Sequence, residues 1–159
     1  MLLNAGYDVY YEQSTTETKK NFLINLKKSV EMASNSGVIL AFETMETEFM
    51  NTVEKAMTYV KKVNSPYLQV YPDCGNITNA AMLYKKDVLQ DIIKGRGHIV
   101  SVHLKETIPG KFREINFGEG YVNFEKIIKE SLKLGVRRFV AEFWYTGQNN
   151  WKQIIKDTN

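Results

Sequence analysis

Cysteine is nearly absent from this chain. Cys74 stands alone among 159 residues, which rules out a disulfide within the chain and leads us to expect a reducing compartment, by default the cytoplasm. No apolar run approaches the roughly 20 residues of a membrane span. The start, Met1-Leu2-Leu3-Asn4-Ala5-Gly6-Tyr7-Asp8, lacks the charged segment and long apolar stretch of a secretory signal. There is no Lys/Arg block and no basic stripe interleaved with aromatics, and the net charge is only +3, so neither nucleic acid nor a membrane is an expected partner. No glycine-rich phosphate turn opens a helix, which lowers the nucleotide-binding reading. Linkers and low-complexity tracts are missing too. Residues 1–159 therefore make at most one domain, large enough to bury a core.

What is present is an alternation of strand and helix. Apolar runs at Leu2 to Tyr11, Val38 to Phe42, Tyr67 to Tyr71, Ile99 to Val102 and Arg138 to Ala141 read as strands. Between them, helical spacing predicts helices over Thr16 to Asn35, Glu48 to Val63 and Asn79 to Lys94. A fourth is built on Phe124, Ile127, Ile128 and Leu132, and a last one starts near Asn149. The longest loop runs from Leu104 to Val122. Repeated strand-helix units mean a parallel sheet, and two α/β architectures suit it: a five-stranded doubly wound sheet, or part of a (β/α)8 barrel.

Four polar residues tilt the choice toward the barrel. Glu43, Asp73, His103 and Glu142 each stand at or beside a strand end, with thirty positions between Glu43 and Asp73 and thirty more to His103. That is about one strand-helix unit, and strand ends in a barrel open on a common mouth. Three carboxylates and one imidazole suit a divalent ion: Mn2+, Zn2+, Co2+ or Mg2+. Such an ion chelates a 2-keto sugar and acidifies the C3–H beside the carbonyl, giving an enediolate. Glu43 and Glu142 come from strands separated by two others and can serve as base and acid on opposite faces.

Other residues carry weaker signals. Lys105, Lys111 and Arg113 lie in or near the long loop as candidate phosphate contacts. Trp144 and Tyr145 follow Glu142 and can floor a sugar or pack a wall, an ambiguity shared by Phe112, Phe117 and the tyrosines at 7, 10 and 11. His98 opens its strand at the far end and reads as structural. Cys74 reads as a small filler, and Gly118-Glu119-Gly120 as a tight turn.

Several segments together are familiar. Ala5-Gly6-Tyr7-Asp8-Val9-Tyr10-Tyr11, Ser29-Val30-Glu31-Met32-Ala33, Phe49-Met50-Asn51, Val70-Tyr71-Pro72-Asp73 with Gly75-Asn76, Val102-His103-Leu104-Lys105 and Phe117-Gly118-Glu119-Gly120 resemble the L-ribulose/L-xylulose 5-phosphate 3-epimerase family. Its members are xylose isomerase-like barrels of L-ascorbate and pentose catabolism. The resemblance covers nearly the whole chain. It implies a metal held by Glu43, Asp73, His103 and Glu142, with Glu43 and Glu142 as the acid/base pair, and a sugar phosphate as substrate, for which Lys105, Arg113, Asn76 and Trp144 are our candidate contacts. It also implies that this chain corresponds to the five C-terminal strand-helix units, with the N-terminal units absent. Three explanations compete: a split gene whose companion chain, or a homo-oligomer, completes the barrel; a truncated product inactive without that part; or an incomplete gene. An aldose–ketose isomerase on the same fold is the rival reading.

Overall fold

The computed structural model describes residues 1–145, 147 and 149–157. The first long helix, α1 (Thr16–Asn35), has the bounds its periodicity predicts, with Leu26, Val30 and Ala33 buried. Thr15 caps it by accepting the Thr18 N–H, while the Thr18 hydroxyl accepts the Thr15 N–H in return. Around it the described chain folds as β1 (Leu2–Ala5), β2 (Leu40–Glu43), α2 (Val53–Val63), β3 (Leu68–Tyr71), α3 (Cys74–Tyr84), α4 (Val88–Ile93), β4 (Val102–Leu104), α5 (Phe124–Lys133), β5 (Phe139–Ala141) and α6 (Trp151–Asp157).

Beyond shifts of one or two residues at element ends, four elements differ from the sequence expectation. Strand β4 is Val102–Leu104 and not Ile99 to Val102, because Ile99 makes only an isolated bridge to Val70. Strand β1 ends at Ala5, not Tyr11, because the chain turns at Gly6. A Cβ there would lie 2.7 Å from Met50 Sδ and 2.8 Å from the Glu43 carbonyl, so only glycine allows this approach. Helix α2 starts at Val53 instead of Glu48, since Thr52 takes the cap position and accepts the Lys55 N–H. The helix expected over Asn79 to Lys94 is two helices. Asp73 caps α3 directly after β3, Lys85 ends it in the left-handed region at φ 53°, and Asp87 caps α4.

All strand pairs are parallel. Strands β1, β2 and β3 form one sheet in that order and β4 and β5 another, and the bridges Val70–Ile99 and Asp73–His103 join β3 to β4. Spatial order therefore follows sequence order throughout. A doubly wound sheet reverses its order at a switch point; this one does not, so the wall is of the barrel kind.

The two faces of that wall have different chemistry because side chains alternate along a strand. Leu40, Phe42, Leu68, Val70 and Val102 belong to the buried apolar cluster shared with Val30, Val53, Val60, Ile77, Ile92 and Ile127 of the helices. Phe42 also packs in an aromatic group with Phe22, Phe49 and Tyr59. Glu43 and Tyr71, paired in register, turn to the opposite face. No helix among the described residues is long and apolar enough to cross a membrane.

One distant contact fixes where α2 begins. Both oxygens of Asp91, from α4, accept N–H groups of its first turn, Val53 at 2.7 Å and Glu54 at 3.0 Å. Asp91 is partly buried, so removing it leaves the N–H of the buried Val53 without its acceptor, while water reaches the Glu54 N–H. Asp91→Ala is expected to destabilise the chain by about 1–3 kcal/mol, with Asp91→Asn costing less because one acceptor survives. Urea denaturation of the variants checks both.

Candidate metal centre

Parallel strands put their carboxyl ends on one edge, and that edge gathers the four residues. Glu43 is the last residue of β2, Asp73 lies between β3 and α3, His103 is in β4, and Glu142 directly follows β5. One ligand atom from each lies within 4.8 Å of all the others. His103 Nδ1 stands 2.7 Å from Glu43 Oε1, 3.1 Å from Glu142 Oε2 and 3.9 Å from Asp73 Oδ2. The edge of Tyr71 packs on the His103 ring, fixing its plane.

Asp73 is the most constrained of the four. Oδ1 accepts the Asn76 N–H at 2.7 Å, and the Asp73 N–H is bound to Thr44 Oγ1 at 2.9 Å. Oδ2 is buried and makes no hydrogen bond among the described residues, although the Lys105 ammonium sits 3.1 Å away. A buried carboxylate oxygen without a hydrogen bond, beside two more carboxylates and an imidazole, is a donor set that fits a divalent cation.

The charges explain the proton affinities. Burial alone would lower the His103 pKa, but the hydrogen bonds and charges of Glu142 and Glu43 outweigh it and raise it to about 9. Burial pushes Asp73 up to about 6 against the pull of Lys105. Burial also tends to raise Glu142, and there His103 and Lys105 prevail and hold it below the usual range. The acidic ring is thus balanced by two cations, His103 and Lys105.

The structure sorts the remaining candidates. Lys105 is buried, with Nζ 3.1 Å from Asn76 Oδ1 and 4.0 Å from Glu142 Oε1, so Lys105 and Asn76 both belong to the site. Cys74 does more than fill space. Its Sγ lies 3.2 Å from the Lys105 nitrogen, accepting its N–H, and 3.4 Å from the Lys105 oxygen, and burial drives its thiol pKa well up, leaving it unreactive. Arg113 is paired with Glu46 at 3.0 Å and stacked on Trp144. Lys111 and Tyr145 are exposed. Phe117 packs on Phe124, which is wall packing, and His98 lies 3.3 Å from Gln69, outside the ring.

Two glutamates escaped the sequence reading. Glu106 is 2% exposed and accepts three backbone N–H groups: Thr107 and Val122 on Oε1, and Gly118 on Oε2. Gly118-Glu119-Gly120 is therefore the cradle of a buried carboxylate as well as a turn; a Cβ on Gly120 would lie 2.4 Å from Glu106 Oε1. Glu46 accepts from Tyr7, Tyr11 and Arg113. Neither carries a motif. Only proximity in the sequence to Glu43 and His103 pointed toward them.

A cation needs the lone pair of a neutral imidazole, and His103 is protonated below about pH 9 in the metal-free ring. Binding of Mn2+ at pH 7 is therefore expected to release about one proton from His103, with affinity rising as pH climbs toward 9. Below pH 6 protonation of Asp73 weakens binding further. Calorimetry in buffers of different ionisation enthalpy measures the proton count. Release of no proton at pH 7 contradicts this assignment of charge.

The family model for the xylose isomerase-like TIM barrel matches residues 1–158. A curated protein of Shigella boydii, L-ribulose-5-phosphate 3-epimerase UlaE, is 40% identical over 154 residues, covering 96% of this chain and 53% of its own. Its namesake in Escherichia coli O139:H28 is 46% identical over 141 residues, covering 88% and 48%. Among solved structures, a D-tagatose 3-epimerase-like protein superimposes with a TM-score of 0.75 at 19% identity, over 98% of this chain and 60% of its own. The chain thus spans about half the length of the curated relatives it matches. It belongs to the xylose isomerase-like TIM barrel family.

Proposed function

We propose that this chain carries the metal centre of a pentulose 5-phosphate 3-epimerase acting on L-ribulose 5-phosphate or L-xylulose 5-phosphate. The observation that carries the reading is the ring of Glu43, Asp73, His103 and Glu142, together with relatives named L-ribulose-5-phosphate 3-epimerase at 40% and 46% identity. A divalent ion held by these four residues supplies Lewis-acid polarisation of the ketose carbonyl, which acidifies the adjacent C3–H.

Proton transfer then falls to the chain. Glu43 and Glu142 enter the ring from β2 and β5, with two strands between them. In our reading one carboxylate removes the C3 proton from one face, and the other, arriving protonated, delivers a proton to the opposite face. Inversion at C3 leaves the count of protons unchanged. Lys105 and Asn76, already turned into the ring, are assigned to the sugar oxygens. Arg113 and Trp144, at the outer rim, are assigned to the phosphate end and the sugar face.

The barrel needs eight units, and the described residues form five. Strands β1 and β5 each have a single ladder partner, and Leu2, Leu3 and Val140 beside the open edges are exposed. We propose that these are the five C-terminal units and that the remaining units pair with both edges. They would come from elsewhere in the protein, from a companion chain, or from an oligomer, in the cytoplasm.

The test is solvent exchange in deuterated water, on the chain alone and with the N-terminal half of a relative supplied in trans. Deuterium at C3 of L-ribulose 5-phosphate is the expected result, whereas deuterium at C1 or C2 assigns an aldose–ketose isomerase. Glu43→Gln and Glu142→Gln are each expected to lower kcat by about 100-fold or more, the usual contribution of a general acid or base. Retained turnover in either variant removes that residue from proton transfer.

A further inference from the structure

Glu142 has the least local support of the four ligands. It follows β5, a three-residue strand with one ladder partner. Its side chain is 25% exposed, against 11% for Glu43 and 0% for Asp73. The residues after it, Phe143, Trp144 and Tyr145, are all exposed. An edge segment of this kind needs an external tether to hold a ligand in place.

The tether comes from the other side of the mouth. Glu46 lies three positions beyond Glu43, and its carboxylate is 8% exposed. Tyr7 donates to it at 2.6 Å, Tyr11 donates to its other oxygen, and Arg113 Nη2 donates at 3.0 Å. The guanidinium of Arg113 in turn stands 5.0 Å from the centroid of the Trp144 ring. A planar guanidinium can bond a carboxylate along its edge while its face covers an aromatic ring. Trp144 is two residues past Glu142 on the segment that leaves β5. One continuous line of contacts thus runs from the loop after β1, through Glu46 and Arg113, to the indole of Trp144, two residues beyond the ligand after β5.

We infer that Glu46 is a positioning residue for the metal centre: by holding Arg113 against the indole of Trp144, it anchors the segment after β5 that places the Glu142 carboxylate in the ring. The inference rests on the metal-site reading of Glu43, Asp73, His103 and Glu142. It gives Glu46 no contact with the ion or the sugar.

The experiment uses Trp144 as its own reporter. In a Trp151→Phe background Trp144 is the single tryptophan. Glu46→Gln keeps the shape and one acceptor oxygen for a tyrosine but removes the charge that holds Arg113. Acrylamide quenching of Trp144 in the metal-free protein is expected to rise. Mn2+ affinity by calorimetry is expected to fall on the order of 10-fold, the lower end of what partners that orient a ligand contribute. Arg113→Leu, which leaves Glu46 with both tyrosines, is expected to show the same loss, and the double variant no further loss. Arg113→Lys is expected to rescue little, since an ammonium cannot bond in plane and cover a ring at once. With Trp144→Ala in place, which removes the ring that Arg113 covers, Glu46→Gln is expected to leave Mn2+ affinity unchanged. Unchanged quenching, or unchanged Mn2+ affinity, in Glu46→Gln with Trp144 present overturns the inference. A parent protein that binds no Mn2+ overturns the underlying metal reading, and the inference falls with it; a parent that binds while Glu46→Gln binds equally overturns the inference alone.

Discussion

Three carboxylates crowded within a few ångströms are the constraint around which the rest of this structure is arranged. At the ring's 4.8 Å limit, two like charges repel by about 3 kcal/mol at an effective dielectric constant near 20. Glu43, Asp73 and Glu142 form three such pairs. Such an arrangement persists only with positive charge between them. His103 and Lys105 provide it in the metal-free chain, and a divalent ion provides it more compactly. The same repulsion that makes the ring costly gives it selectivity for cations.

The fold meets that cost with backbone connections. Thr44, directly after Glu43, receives the Asp73 N–H on its side chain and the Asn76 amide on its carbonyl. Cys74, directly after Asp73, clips the backbone of Lys105, and Gly75 leaves room for it, since a Cβ would sit 2.9 Å from the Lys105 carbonyl. Asp73 and the Lys105 backbone beside it are thus secured by residues of the neighbouring strand ends. The geometry is built into rigid elements instead of the long loop, which is what close placement of charged groups requires.

Buried glutamates organise the loops in a second way. Glu106 ties the start of the long loop to Gly118 and Val122 near its end, and Glu46 joins the loops after β1, β2 and β4. A carboxylate accepting several donors is stable in the interior because each lone pair is matched. The rim of the mouth is therefore a network of charge-assisted bonds, distinct from the apolar helix-facing side of the same wall.

The helices and the ligand ring were legible in the sequence because both are periodic. Leu26, Val30 and Ala33 recur at helical spacing, and Glu43, Asp73 and His103 recur once per strand-helix unit. The choice of barrel over doubly wound sheet needed the strand order, because both architectures share the same alternation along the chain. The break between α3 and α4 depended on Lys85 adopting a left-handed backbone that a lysine seldom takes, and Asp73 was read as a ligand without its second role as a helix cap. Glu46 and Glu106 had no local signature at all: Tyr7 is 39 residues and Arg113 67 residues from Glu46. Sequence alone determined which side chains could share a cation, since that follows from residue type and repeat. Tertiary structure alone decided how they are held, because those restraints are contacts between residues far apart in the chain, set by how strands lie side by side.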